Sequence, residues 1–291
     1  ILDINNIIMI IWIASYPKSG NTWVRAILNS LLYSKDTKIN INELQNKIRQ
    51  FPIMKDFSEI TKGSLDEEQF AKNCIYAQDK LNLDNKIKFF KTHNALWKFG
   101  NYAFTDESNT LGVIHVVRDP RNVITSILNH FNKTINNYEK ALKFILDKKR
   151  MFGPEKLSLS ENDLPTIISS WSNHYRSWKK FKKNNLLIKY ENLLLKPDVE
   201  YLKIVDFLKK TINFKFEESK IKNVIENTQF EKLKTQENIT GFMEAASKKN
   251  NEKINFFHLG PKNKWENLLN SNIKKSIENI FKDEMKELGY L

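Results

Sequence analysis

Residues 15–23 read Ser-Tyr-Pro-Lys-Ser-Gly-Asn-Thr-Trp and stand directly behind the apolar run 7–14. A cation, a glycine and several hydroxyl or amide side chains are crowded between a strand-like run and a helical pattern. That is the makeup of an anion cradle. Gly20 lets the backbone turn tightly and come close to a ligand. The loop amides then point at one spot, at the positive end of the following helix. Lys18 adds a full charge, and Ser19 and Thr22 add hydroxyl donors. The order differs from the nucleotide P-loop, GxxxxGK[ST], in which the lysine follows the last glycine; here Lys18 precedes Gly20 by two. The same residues also suit a plain strand–turn–helix in which Asn21 or Thr22 only caps the helix.

Two further places carry chemistry. In residues 112–131, Arg118 closes an apolar run and Ser126 lies eight residues on, two turns into a helical pattern. A guanidinium suits a phosphate because its planar fork donates two parallel hydrogen bonds. The competing possibility is a buried Arg118–Asp119 pair at a strand end. In Lys91-Thr92-His93 the histidine follows another apolar run, which puts His93 at the carboxyl edge of a sheet, where α/β proteins bind ligands.

The elements that must hold these residues are legible from patterning. Four short β-branched runs, 7–14, 87–91, 111–117 and 185–190, lack strict alternation, as parallel strands buried on both faces do. Between them, 22–32, 121–131, 166–181, 198–208, 217–233 and 272–288 read as amphipathic helices. This alternation predicts an α/β fold with a central, mostly parallel sheet flanked by helices. No repeat or linker interrupts it, so 1–291 is expected to be a single domain. Residues 132–164 and 236–256 are polar and read as lids or surface excursions.

Composition narrows the field. The chain is 41% hydrophobic and 12% aromatic over 291 residues, enough for a sizeable core. Its net charge is +13, yet its lysines are scattered and no nucleic-acid recognition motif is present, so no nucleic-acid partner is expected. A diffuse positive field still favours an anionic ligand. The single cysteine, Cys74, excludes an intramolecular disulfide and a cysteine-rich metal site. The run 7–14 is too short to span a bilayer. A cytoplasmic setting and no membrane span are expected.

Taken whole, YPKSGNTW resembles the YPKSGTTW signature of sulfotransferases that use 3′-phosphoadenosine 5′-phosphosulfate. It departs at Asn21, where that family usually has Thr. The resemblance implies a P-loop-like three-layer α/β/α fold, with Lys18, Ser19, Gly20, Asn21 and Thr22 around the 5′-phosphosulfate and Trp23 stacked on the adenine. Arg118 and Ser126 match the family's 3′-phosphate motif. The K-T-H segment implies that His93 is the general base, with Lys91 close enough to help at the transferring group. Tyr190 and Thr228 resemble residues that lie near the adenine. The segment 256–265, FFHLGPKNKW, resembles the R-K-G-x-x-G-x-W loop and keeps Gly260 and Trp265. His258 and Leu259 stand where Arg and Lys usually hold the 3′-phosphate, and Asn263 replaces the second glycine; Lys262 and Lys264 are candidates to supply the missing charge.

The resemblance implies in-line sulfuryl transfer to an acceptor hydroxyl or amine, on a small molecule, glycan or lipid, leaving adenosine 3′,5′-bisphosphate. Lys18 would donate to the bridging oxygen, and Ser19 would hold Lys18 back until the acceptor arrives. No metal is expected. Phe51, Phe57, Phe70, Tyr76, Trp97 and Phe242 are candidates for an apolar acceptor wall. The rival expectations are a P-loop-type kinase using ATP, with Asp119 on Mg²⁺, and a basic nucleic-acid or glycan-binding protein.

Overall fold

The structure is a computed structural model that describes residues 9–60, 67–131, 134–153, 164–245 and 254–291. At its centre lie four parallel strands: β1 (Ile10–Ser15), β2 (Lys88–Thr92), and the strands Thr110–Val117 and Asn185–Lys189. Their spatial order is β2, β1, Thr110–Val117, Asn185–Lys189. All four expected strands are present within a few residues of their expected bounds. Positions 7 and 8 of the first run lie outside the described residues.

β1 explains why the runs do not alternate. Ile11 and Ile13 face one side and pack with Phe89, Ile114, Val116 and Ile188 beneath the helices α1 (Asn21–Leu32) and Pro197–Ile212. Ile10, Trp12 and Ala14 face the other side, among Phe51, Phe57, Phe70, Trp97, Phe104 and Trp178. Every residue of β1 is buried, so both faces select apolar side chains. The helices Pro120–His130, Tyr138–Leu146, Trp171–Lys179 and Ser271–Ile280 share a further cluster built on Val123, Ile124, Ile127, Trp171 and Ile277. The outcome is a three-layer α/β/α sandwich.

Helix bounds depart from expectation where local chemistry intervenes. The pattern at 166–181 begins as a two-residue strand, Thr166–Ile167, paired with Met151–Phe152. The helix starts only at Trp171, because Ser169 adopts φ 63° and the Ser170 side chain accepts a bond from the Asn173 N–H. The pattern at 217–233 breaks at Thr228 into Ile221–Asn227 and Phe230–Thr240. That at 272–288 breaks at Phe281 into Ser271–Ile280 and Lys282–Glu287. Two longer helices were not expected, Glu67–Asn82 and Tyr138–Leu146, nor were the short ones Leu44–Lys47, Tyr190–Leu195 and Trp265–Leu268. Tyr138–Leu146 lies inside the presumed excursion 132–164, where Asn137 caps it by accepting from the Lys140 N–H. Much of 236–256 is likewise ordered chain: residues 236–240 close the helix Phe230–Thr240, while 246–253 lie outside the described residues. Among the described residues no helix is long and apolar enough to cross a membrane.

Ile13 has no exposed surface and sits mid-sheet between both flanking strands. Ile13→Ala is expected to lower the unfolding free energy by about 2–5 kcal/mol, read from a guanidinium titration at unchanged slope.

Candidate functional site

Parallel register brings the four strand ends to one edge. Ala14 pairs with Thr92, Ser15 with Val116, and Val117 with Lys189. The residues that follow these ends are Lys18, His93, Arg118 and Tyr190, so each strand delivers one polar side chain to the same edge. Together they line a cavity of about 330 Å³. Gly20, Asn21, Thr22, Trp23, Lys91, Ser126, His258, Leu259 and Gly260 line it as well. Ser19 and Thr228 do not. Ser19 is fully buried behind the loop, and Thr228 is buried against the core, its hydroxyl donating to the Val224 carbonyl at 2.7 Å and meeting the Tyr201 hydroxyl at 2.8 Å.

The cradle is formed by backbone as much as by side chains. Lys18 and Gly20 both adopt positive φ, 66° and 105°. Gly20 is obligatory twice over, because a Cβ there would lie 2.7 Å from the Tyr190 ring as well as in a strained conformation. Gly20 is also the N-cap of α1, and no side chain caps that helix. The alternative in which Asn21 or Thr22 serves only as a cap is thereby excluded. The uncapped first turn aims its N–H groups and positive dipole at the cavity. Lys18 Nζ, Ser19 Oγ and Arg118 Nε are buried with no hydrogen-bond partner among the described residues. Ser19 therefore does not hold Lys18. The lysine ammonium instead lies 4.0 Å from the centroid of the Phe256 ring.

Asn21 departs from expectation. It lines the cavity, yet its amide donates backward into β1, to the Ile13 carbonyl at 2.9 Å and the Ser15 hydroxyl at 3.2 Å. That leaves its backbone N–H, rather than its side-chain amide, on the side of the cavity.

Arg118 is not paired with Asp119. Its Nη1 donates to the Lys18 carbonyl at 3.0 Å, and its guanidinium stacks 4.0 Å from the Tyr190 ring centroid. Asp119 is instead engaged by Arg121 through three nitrogens. The carboxylate a kinase would need for Mg²⁺ is thus already spent. Among the described residues no group of three or more His, Cys, Asp or Glu is placed to hold a metal ion.

His93 Nδ1 lies 2.8 Å from the Ser15 carbonyl oxygen. A carbonyl only accepts, so Nδ1 carries the proton and Nε2 keeps its lone pair. Burial, aided by the charge on Lys91, pulls the His93 pKa down to about 3, so the ring is neutral at physiological pH.

The cations around it are held largely out of solvent. Burial, with Arg118 and Lys91 nearby, pushes the Lys18 pKa down to about 7. Burial also lowers Lys91, and Glu244 partly offsets that. Glu244 bonds Lys91 Nζ at 3.1 Å and Arg25 Nη1 at 2.6 Å. Burial opposes its ionisation, but Lys91 and Arg25 outweigh burial and hold its carboxyl down to about 2.

Several lining residues were not expected: Glu244, His130, Phe131, Phe152, Phe256 and Phe257. The expected acceptor wall is elsewhere. Phe51, Phe57, Phe70 and Trp97 belong to the core on the far side of β1, Tyr76 is exposed, and Phe242 is buried against Phe256 and Phe257. Sequence spacing cannot tell which face of a sheet an aromatic side chain reaches. In the C-terminal loop, Gly260 (φ 51°) passes so close to Phe230 that a Cβ would lie 2.3 Å from its ring. Asn263 is buried and ties the loop down, accepting from Thr125 Oγ1 at 2.6 Å and donating to the Asn122 carbonyl at 3.0 Å. Lys262 and Lys264 are exposed and outside the cavity lining, which leaves Arg118 as the cationic side chain of that half among the described residues.

A parallel sheet with an uncapped helix and clustered buried cations at its carboxyl edge defines an α/β protein suited to hold an anion there. The sulfotransferase domain model matches residues 10–289. Sulfotransferase 1B1 of Canis lupus familiaris is 25% identical over 279 residues, covering 94% of this chain and 82% of its own length. The amine sulfotransferase of Oryctolagus cuniculus is 22% identical, covering 95% and 81%. Two solved structures share the fold. A retinol dehydratase in complex with androsterone and the inactive cofactor PAP has a TM-score of 0.60 at 18% identity, covering 98% of this chain and 83% of that one. Mouse sulfotransferase SULT7A1 complexed with PAP has a TM-score of 0.57 at 18% identity, covering 96% and 85%. The chain belongs to the sulfotransferase domain family and is an enzyme of that kind.

Lys18 is expected to titrate near pH 7, charged below and neutral above. Reductive ¹³C-methylation followed by NMR should show one lysine signal moving near neutrality and absent from Lys18→Met. A Lys18 signal static to pH 9 would refute the desolvated placement.

Proposed function

We propose that this chain transfers a sulfuryl group from 3′-phosphoadenosine 5′-phosphosulfate to a hydroxyl of a small-molecule acceptor, with His93 as general base. The observation that carries the reading is the convergence of Lys18, His93, Arg118 and Tyr190 on one cavity from four adjacent strand ends. The residues fit the nucleotide. Among the described residues, buried donor atoms on the lining residues Lys18 and Arg118 lack partners, and Gly20 leaves the loop backbone open to close approach. The family match and the PAP complexes of fold relatives support the same ligand.

When bound, the nucleotide supplies the sulfuryl group. The chain's own residues do the rest. The first turn of α1 and Lys18 bind the phosphosulfate end, Arg118 and Ser126 the 3′-phosphate, and Trp23 and Tyr190 flank the base. His93 Nε2, free because Nδ1 is committed to Ser15, takes the proton of the acceptor hydroxyl. A neutral imidazole is the form that role requires. Lys18 offsets the negative charge that grows on the departing phosphate, as preorganised donors do in group transfer. The acceptor body would lie against Phe131 and Phe256, which flank His130, and against Phe152, which packs on Phe131. That aromatic wall suits a small alcohol or phenol; glycan and lipid hydroxyls are alternatives for an acceptor screen.

The test is a thermal-shift titration with adenosine 3′,5′-bisphosphate beside 5′-AMP and Mg-ATP. Selective stabilisation by the bisphosphate without metal is expected, with a modest margin over AMP because His258 and Leu259 replace two cations. Preference for Mg-ATP, or silence to all three, would overturn the reading. His93→Ala is expected to abolish sulfuryl transfer while leaving bisphosphate affinity within about threefold, measured by calorimetry. Loss of nucleotide binding in that variant would remove His93 from the proposed role.

A further inference from the structure

Lys91 lines the cavity beside Lys18, and it shares one carboxylate, that of Glu244, with the buried Arg25. Arg25 lies on α1 with no exposed surface; its Nε donates to the Ile48 carbonyl at 3.1 Å and its Nη1 to Glu244 Oε1 at 2.6 Å. The second oxygen of Glu244 accepts from Lys91 Nζ at 3.1 Å. Each carboxylate oxygen therefore has its own cation, and the side chain of Glu244 is only 9% exposed. Glu244 also lines the cavity. Its segment is pinned at the other end. Asn42 donates to the Gly241 carbonyl at 3.1 Å and accepts from the Met243 N–H at 2.9 Å, and Phe242 packs against Phe256 and Phe257.

We infer that Glu244, backed by Arg25, is a positioning residue for Lys91, aiming its ammonium at the transferring sulfuryl group. The inference rests on the proposed sulfotransfer reaction. Arg25 cannot retreat to solvent, so it fixes one carboxylate oxygen and thereby the other. Lys91 has a flexible four-carbon stem and three donors. Glu244 takes one donor and sets the direction of the remaining two. An ammonium buried among other cations also needs a counter-charge to remain protonated. Bond and charge thus serve the same end. Of the cations that line the cavity, Lys18, Lys91 and Arg118, Lys91 is the one that Glu244 bonds, so in the proposed reaction Glu244 acts through Lys91 at the sulfuryl end of the nucleotide and not on its phosphates.

That distinction gives the test. Dissociation constants for 3′-phosphoadenosine 5′-phosphosulfate and for adenosine 3′,5′-bisphosphate are measured by calorimetry without acceptor, on wild type, Glu244→Gln and Glu244→Asp. In Glu244→Gln the phosphosulfate should weaken about tenfold relative to the bisphosphate, whose own affinity should change less than threefold. Glu244→Asp, which keeps the charge, should recover most of that loss. Equal weakening of both ligands, or no change in either, would overturn the inference. If the wild type binds neither nucleotide, the sulfotransferase reading itself falls and this inference with it.

Discussion

The site is governed by the difficulty of keeping positive charge out of water. Lys18, Lys91, Arg25 and Arg118 are drawn into a region where desolvation works against every one of them. Ordinary proteins avoid such clustering, because a buried cation is tolerated only with a counter-charge. Here Glu244 answers two of the four. The rest remain short of negative charge, and an anionic nucleotide is the group that completes the balance. Such a cluster draws anions by charge as well as by contact.

Holding that arrangement requires a rigid frame. The frame is the parallel sheet, whose register ends four strands at one edge. The backbone beyond β1 then turns through two left-handed residues within three positions, Lys18 and Gly20. Tyr190, from the far strand, fills the space that a side chain at Gly20 would need. The same ring carries Arg118 on its face. One aromatic side chain thus couples the shape of the anion loop to the placement of the cation opposite it.

Much of this was legible in the sequence, for definable reasons. Short apolar runs bounded by turn residues marked all four strands, and the two central ones, β1 and Thr110–Val117, are also buried almost throughout. The cradle was legible because local backbone chemistry, a glycine beside a lysine before a helix, implies its own geometry. The fates of Asn21 and Thr228 were not, since whether a polar side chain turns to a ligand or back to the core depends on neighbours from other elements. Glu244 lies 153 residues from Lys91 and 219 from Arg25 in the chain, and no spacing rule spans such distances. The aromatic residues at 51, 57, 70 and 97 resembled a pocket wall because composition records hydrophobicity but not the side of the sheet. The helix Glu67–Asn82 was missed because its core stripe, Phe70, Cys74 and Ala77, is thin among polar neighbours.

The tether on His93 has a consequence for how the enzyme can change over time. The group that fixes which ring nitrogen bears the proton is the main-chain oxygen of Ser15, and every amino acid at position 15 brings the same oxygen. Mutation can reshape the aromatic wall, yet it has no side chain to delete that would remove the carbonyl holding the imidazole in this tautomer. In the proposed reaction, acceptor range and proton chemistry would therefore be inherited separately: the first written in side chains and free to drift, the second in the backbone and passed on with the fold.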